Sequence, residues 1–125
     1  MPLMSTEIAP LAPDVWCIRL NGEVDSSNLA RLRQAFDEIF ARKVYKVVLN
    51  LGAIKYLSSS AIGCVLGGFT TAVKNGGRLV LAATPHAVVE VLKLIGVANL
   101  LTFAPDETSA VSAFAPPIGS GHKPR

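Results

Sequence analysis

The stretch Val47–Gly63, VVLNLGAIKYLSSSAIG, decides the fold. Val47, Val48 and Leu49 form a continuous β-branched and aliphatic run, the pattern of a strand buried on both faces in a mainly parallel sheet. Three serines follow, Ser58, Ser59 and Ser60, where the pattern turns apolar again and a helix should begin. Serine is a preferred N-cap because its hydroxyl accepts one of the free backbone N–H groups of the first turn. A helix start also tolerates an anion, since several N–H groups point outward unpaired. The loop therefore sets hydroxyl groups beside a natural phosphate seat.

Working outward, Val44–Leu51 is the expected central strand and Ala61–Lys74 the helix after it, closed by the Asn75-Gly76-Gly77 C-cap signal. Gly67 and Gly68 each cost about 1 kcal/mol relative to alanine inside a helix, and close packing would be a sufficient reason for them. Upstream, Val15–Leu20 reads as a strand ending at an Asn21-Gly22 turn. From Asp25 the period changes: Leu29, Leu32, Phe36 and Ile39 or Phe40 share one helical face, with Asp25, Ser26 or Ser27 as the expected cap. Downstream come a strand at Arg78–Ala83, a helix opened by Thr84-Pro85 and stopped by Gly96, a strand at Leu100–Phe103, and a helix over Asp106–Phe114. Ser5–Ile8 is a candidate edge strand. The alternation predicts an α/β fold, a mixed but mostly parallel sheet of about five strands with about four helices. Residues 14–114 form the single domain, with a lead-in over 1–13 and a Pro/Gly-rich flexible tail over 115–125.

Composition narrows the function. Half of the 125 residues are hydrophobic and 17% charged, which excludes a disordered chain. The formal charge of +3 owes two cations to the tail (Lys123 and Arg125); the body carries ten basic against nine acidic residues. Only Arg42, Lys43 and Lys46 cluster, a solvated corner rather than a nucleic-acid footprint, so direct nucleic-acid binding is not expected. Cys17 and Cys64 sit in apolar runs as small buried hydrophobes; His86 and His122 are isolated, and no metal or cofactor is expected. Ala61–Val73 is too short for a membrane span and lacks signal-peptide flanks, which points to the cytoplasm. Neither G-x-S-x-G nor a phosphate-binding G-x-x-x-x-G-K-[ST] motif occurs, and His86 alone offers a base, so intrinsic catalysis is not expected.

Five segments in order, Leu20–Asp25, Val47–Leu51, Leu57–Gly63, Gly76–Val80 and Val91–Val97, resemble the STAS domain, and more narrowly the bacterial anti-sigma factor antagonists. The resemblance runs from about Val15 to Phe114 and implies a switch rather than an enzyme. In that family the unmodified domain captures an anti-sigma factor that is also a serine kinase, freeing the sigma factor for transcription. Serine phosphorylation releases the complex, and a phosphatase resets it. Laid on this chain, the family's motif puts Ser58 at an aspartate position, Ser59 at the phosphoacceptor, Ser60 at the next hydroxyl, and Ala61 and Gly63 at two glycine positions. Ser58 and Ser60 stand as alternative acceptors. The implied partner surface comprises Asp25, Ser58, Ser60, Ala61, Ile62 and Gly63, on a monomer or weak homodimer. Ser58 in place of aspartate removes a negative charge that would repel a neighbouring phosphate. The alternative within the family is an interaction subunit of a lipid-transport or stress-signalling complex that is never phosphorylated.

Overall fold

The computed structural model describes residues 4–114; the lead-in before Met4 and the tail expected to be flexible, 115–125, lie outside the described residues. The elements follow the expected order: β1 (Met4–Ala12), β2 (Val15–Val24), α1 (Leu29–Ala41), β3 (Lys46–Leu57), α2 (Ser59–Lys74), β4 (Arg78–Ala82), α3 (His86–Leu94), a 3-10 turn (Ala98–Leu100), β5 (Thr102–Ala104) and α4 (Glu107–Ser112). The five strands lie in spatial order β1-β2-β3-β4-β5. β1 pairs antiparallel to β2, and every later pairing is parallel.

The period of two in the strands assigns each side chain to one of two cores. Ile18 and Leu20 of β2, Val47, Leu49 and Leu51 of β3, and Leu79 and Leu81 of β4 face α1, α2 and α3 in the main cluster. Their alternates Val15, Cys17, Val48, Val80 and Ala82 face the other way and pack against Ala110 of α4. Val47, Val48 and Leu49 are each fully buried, as a strand covered on both faces must be.

The helix ends are local chemistry. Gly76 and Gly96 adopt left-handed φ values of 83° and 81°. After each, two backbone bonds close the helix: Gly77 N–H to Ala72 O with Gly76 N–H to Val73 O, and Val97 N–H to Leu92 O with Gly96 N–H to Lys93 O.

Four expectations are corrected. Asn21-Gly22 is not a turn. β2 runs on to Val24 because β1 pairs across it (Ser5 with Asn21, Met4 with Gly22), and Gly22 at φ 96° sits at a register shift against β3. The edge strand is the nine-residue β1 rather than Ser5–Ile8 alone. α1 starts at Leu29 with Asn28 at its boundary and no side-chain cap; the Asp25 carboxylate is occupied by Ser27. Thr84 does not cap α3: the boundary residue is Pro85, and the buried Thr84 Oγ1 has no partner.

A polar cluster between β2, β3 and α4 fixes the last helix. Glu107 Oε2 accepts from Arg19 Nε at 2.7 Å and Asn50 Nδ2 at 2.7 Å, and Oε1 accepts from Arg19 Nη2 at 2.8 Å. The Arg19 fork holds the Glu107 carboxyl down to about 2, well below its ordinary 4.5. Beside it, burial and then the Glu107 charge push the Cys17 thiol up to about 12, so Cys17 is inert as a nucleophile. Because the folded value is depressed, this clamp is fully stabilising above about pH 4.5 and is lost as pH falls toward 2. Glu107→Gln should lower stability by about 1 to 2 kcal/mol at pH 7, allowing for the water that reaches Arg19. Chemical denaturation at pH 7 and pH 3 checks it: the gap between wild type and variant should shrink at the lower pH.

Candidate functional site

The candidate site lies where β2 and β3 end side by side. Val24 pairs with Leu57 in the parallel register, so Asp25 and Ser58 leave the sheet as neighbours at its C-terminal edge. Such edges are where open α/β sheets present binding groups. Ser58 N–H donates to Val24 O at 2.9 Å, which ties the loop to β2 before the helix begins.

Ser58 is the N-cap of α2. Its backbone is extended (φ −72°, ψ 166°), its Oγ accepts from Ala61 N–H at 3.1 Å, and its carbonyl accepts from Ile62 N–H at 2.9 Å. Ser59 and Ser60 are then the first two helical residues, both exposed. Their N–H groups have no acceptor within the helix, and no acidic residue occupies the first turn. Two uncommitted donors and the positive end of a four-turn helix thus surround the Ser59 hydroxyl.

The same phase turns Ala61 and Ile62 inward. Ala61 is fully buried and Ile62 nearly so, both in the main core, so their side chains do not form the outward surface expected of them. Asp25, Ser58 and Ser60 remain accessible, and Gly63 is exposed. Asp25 is held in a small hydrogen-bonded turn: Oδ1 accepts from Ser27 N–H at 2.9 Å and Ser27 Oγ at 2.6 Å, while its own N–H donates to Asn28 Oδ1 at 3.0 Å. The Ser27 hydrogen bonds hold its carboxyl below the ordinary range. No hydrogen bond links Asp25 to the three serines among the described residues.

A groove of about 620 Å³ continues from Ser60 between α1 and α2, lined among others by Arg33, Asp37, Phe40, Gly63 and Gly67. Arg33 and Asp37 are exposed groups of α1 beside the site, and their i, i+4 spacing places them on one helix face. The two glycines expected to be packing sites differ. A Cβ on Gly68 would meet the Phe36 ring at 2.5 Å, whereas one on Gly67 would meet nothing within 4 Å. Gly67→Ala should therefore stabilise the fold by about 1 kcal/mol through helix propensity. Gly68→Ala should destabilise it by about 1 to 3 kcal/mol through overpacking. Thermal unfolding of the two variants side by side gives opposite signs.

Among the described residues no histidine or carboxylate is hydrogen-bonded to Ser59 or Ser60, and His86 faces Glu90 at 3.8 Å on an exposed part of α3. Among the described residues no group of His, Cys, Asp or Glu is arranged to hold a metal, and no helix is long and apolar enough to cross a membrane.

The sequence family described as the STAS domain matches residues 8–110. This chain belongs to the STAS family. The anti-sigma F factor antagonist of Paenibacillus polymyxa is 25% identical over 99 residues, covering 78% of this chain and 85% of that protein. Among solved structures, an anti-sigma factor antagonist from Mycobacterium paratuberculosis superposes with a TM-score of 0.79 at 20% identity, covering 90% of this chain and 94% of that one. SpoIIAA superposes in its unphosphorylated form with a TM-score of 0.75 (21% identity; 87% of this chain, 95% of that one). The Bacillus SpoIIAA in its phosphorylated form gives 0.73 (19% identity; 89% and 100%). These likenesses establish the five-stranded STAS architecture for this chain.

Proposed function

We propose that this STAS domain is an anti-sigma factor antagonist whose binding to an anti-sigma factor serine kinase is gated by phosphorylation of Ser59. The observation that carries the reading is the placement of Ser59: an exposed hydroxyl at the first helical position of α2, beside two N–H groups with no helical acceptor. The name of the Paenibacillus polymyxa relative supports the general role, and the existence of SpoIIAA in unphosphorylated and phosphorylated forms supports phosphorylation as the gate.

In the unmodified state Ser59, Ser60 and Gly63 offer small groups and free donors that a partner can approach closely, with Asp25 at the neighbouring strand end. The kinase transfers the terminal phosphoryl group of ATP to Ser59 Oγ: the new O–P bond replaces the bond to the β-phosphate, ADP leaves, and the hydroxyl proton is released. The phosphate adds roughly −1.5 to −2 charges to the middle of that contact, which must then be desolvated or repelled. On this side of the interface it rests on the α2 N-terminus, and Ser58, unlike a carboxylate, does not repel it. A phosphatase restores the binding form. The domain itself performs no catalysis in this scheme; its serine is a substrate. The setting is the bacterial cytoplasm, where sigma factors act.

The test is a titration of the cognate anti-sigma factor kinase with wild type and Ser59→Ala, with and without ATP. Both should bind in the absence of ATP, and only wild type should be released when ATP is added. Release of Ser59→Ala at the wild-type rate would sink the assignment of the acceptor. Binding that ATP never reverses in either chain would favour the interaction-subunit reading.

A further inference from the structure

The chain leaves a second face unaccounted for, at the far edge of the sheet from β1. Val91 and Leu94 of α3, Ile95 just after it, Leu100 of the 3-10 turn and Phe103 of β5 are 41%, 85%, 52%, 60% and 37% exposed. All five fall within one 13-residue stretch, and of α3's own nine residues only Leu92 is buried. Summed residue by residue, their exposed area is roughly 500 Å², short of the about 800 Å² per partner of a standard interface, so an association through them is weak and concentration-dependent unless the strand edge adds to it. The charges beside the patch are already paired: Glu90 meets Lys93 at 3.3 Å and His86 at 3.8 Å.

β5 adds a directional element to this face. It is an edge strand, paired on one side with β4. Ala104 O accepts from Ala83 N–H, so the peptide groups of Ala104 face β4. By the alternation of a strand, those of Phe103 face the open edge. Phe103 shares its sheet face with Leu81, opposite which it pairs, and so lies on the helix side with the apolar patch.

We propose that a second copy of this chain docks on this edge about a two-fold axis through Phe103. In that arrangement Phe103 N–H donates to the backbone carbonyl of Phe103 of the partner subunit, and the reverse bond follows by symmetry. The α3 patches then meet beside the paired strands, adding apolar burial to two to four backbone bonds. Pro105, which has no N–H, ends the ladder one residue beyond β5, so the pairing is short and closes as a dimer. None of its residues belongs to the Ser58–Gly63 loop, and the proposal stands or falls independently of the kinase reading.

Sedimentation equilibrium of the full chain, from about 1 µM to about 0.5 mM, tests it across the affinity range expected of a small interface. The mass should rise with concentration from 13.2 kDa toward twice that value. Leu94→Asp, at a side chain too exposed to carry folding, should weaken the dimer by about a hundredfold, because symmetry removes the contact twice. In a Cys64→Ser background, Phe103→Cys should cross-link to itself under mild oxidation, since the paired Cα atoms would lie about 5.5 Å apart. A monomer at every concentration overturns the proposal and assigns the patch to a different protein. So does a dimer that Leu94→Asp leaves unchanged, or one in which Phe103→Cys does not cross-link.

Discussion

Ser59→Glu should lose the anti-sigma factor kinase by a hundredfold or more while its circular dichroism and thermal unfolding match wild type. The argument has two sides. Ser59 is exposed and its side chain makes no hydrogen bond among the described residues, so a carboxylate there displaces none of them. It also lies at the N-terminus of a 16-residue helix, where negative charge is favoured. The fold should accept the change or gain slightly from it. Binding should not, because the new charge stands within the proposed partner surface with Ser60, Gly63 and Asp25. Desolvating an unpaired carboxylate there costs roughly 3 kcal/mol, which is the hundredfold loss. Ser60→Glu is the internal control: one position along, at the groove mouth, it should weaken binding less. Equal affinities of wild type and Ser59→Glu, measured by calorimetry, would remove Ser59 from the interface.

The second large effect concerns the fold that holds this loop in place. Gly77→Ala should cost about 3 kcal/mol or more and lower expression of the folded chain. A Cβ at Gly77 would lie 1.9 Å from the backbone oxygen of Tyr45, and backbone cannot rotate aside as a side chain can. The same junction carries two functions at once: Gly77 N–H closes α2 through Ala72 O, and Arg78 N–H bonds that same Tyr45 oxygen to start β4 beside β3. A shift at Gly77 therefore disturbs the end of α2 and the β3–β4 pairing together. Gly76, the residue before it, has open space around its absent side chain but a left-handed φ of 83°. Gly76→Ala should accordingly cost only about 1 to 2 kcal/mol, the strain of one such residue. Urea denaturation should rank the pair in that order; the reverse order would mean that the backbone at Tyr45 yields freely.

Gly77 also shows what a sequence conveys and what it withholds. Asn75-Gly76-Gly77 marked the end of α2 because a left-handed C-cap is local chemistry, and the structure has that cap. Which of the two glycines is irreplaceable depends on Tyr45, a strand away, and no local pattern records it. The run Val47–Leu49 was readable for a similar reason, since burial on both faces is written directly as unbroken hydrophobicity. Asn21-Gly22 misled because the dipeptide that makes a hairpin turn also suits a strand irregularity, and only the pairing with β1 decides between them. The Glu107–Arg19–Asn50 cluster joins residues 88 and 57 apart in sequence, and each alone reads as an ordinary surface group.

At the candidate site, serine chemistry marked a helix start within Ser58–Ser60 but not which serine caps it: the helix expected from Ala61 begins at Ser59, with Ser58 as its cap. The inward turn of Ala61 and Ile62 was not legible either, because helix phase is fixed only once Ser58 is known to be the cap. That phase narrows the proposed partner surface to Asp25, Ser58, Ser59, Ser60 and Gly63, with Arg33 and Asp37 of the adjoining groove beside it.

The most direct measurement is the intact mass of the chain after incubation with the proposed anti-sigma factor kinase and ATP, followed by peptide mapping of Leu57–Gly63. A single added phosphate on Ser59, with the modified chain dissociated from the kinase, is the expected result. A kinase that binds tightly yet adds no phosphate, or adds it outside this loop, would contradict the switch.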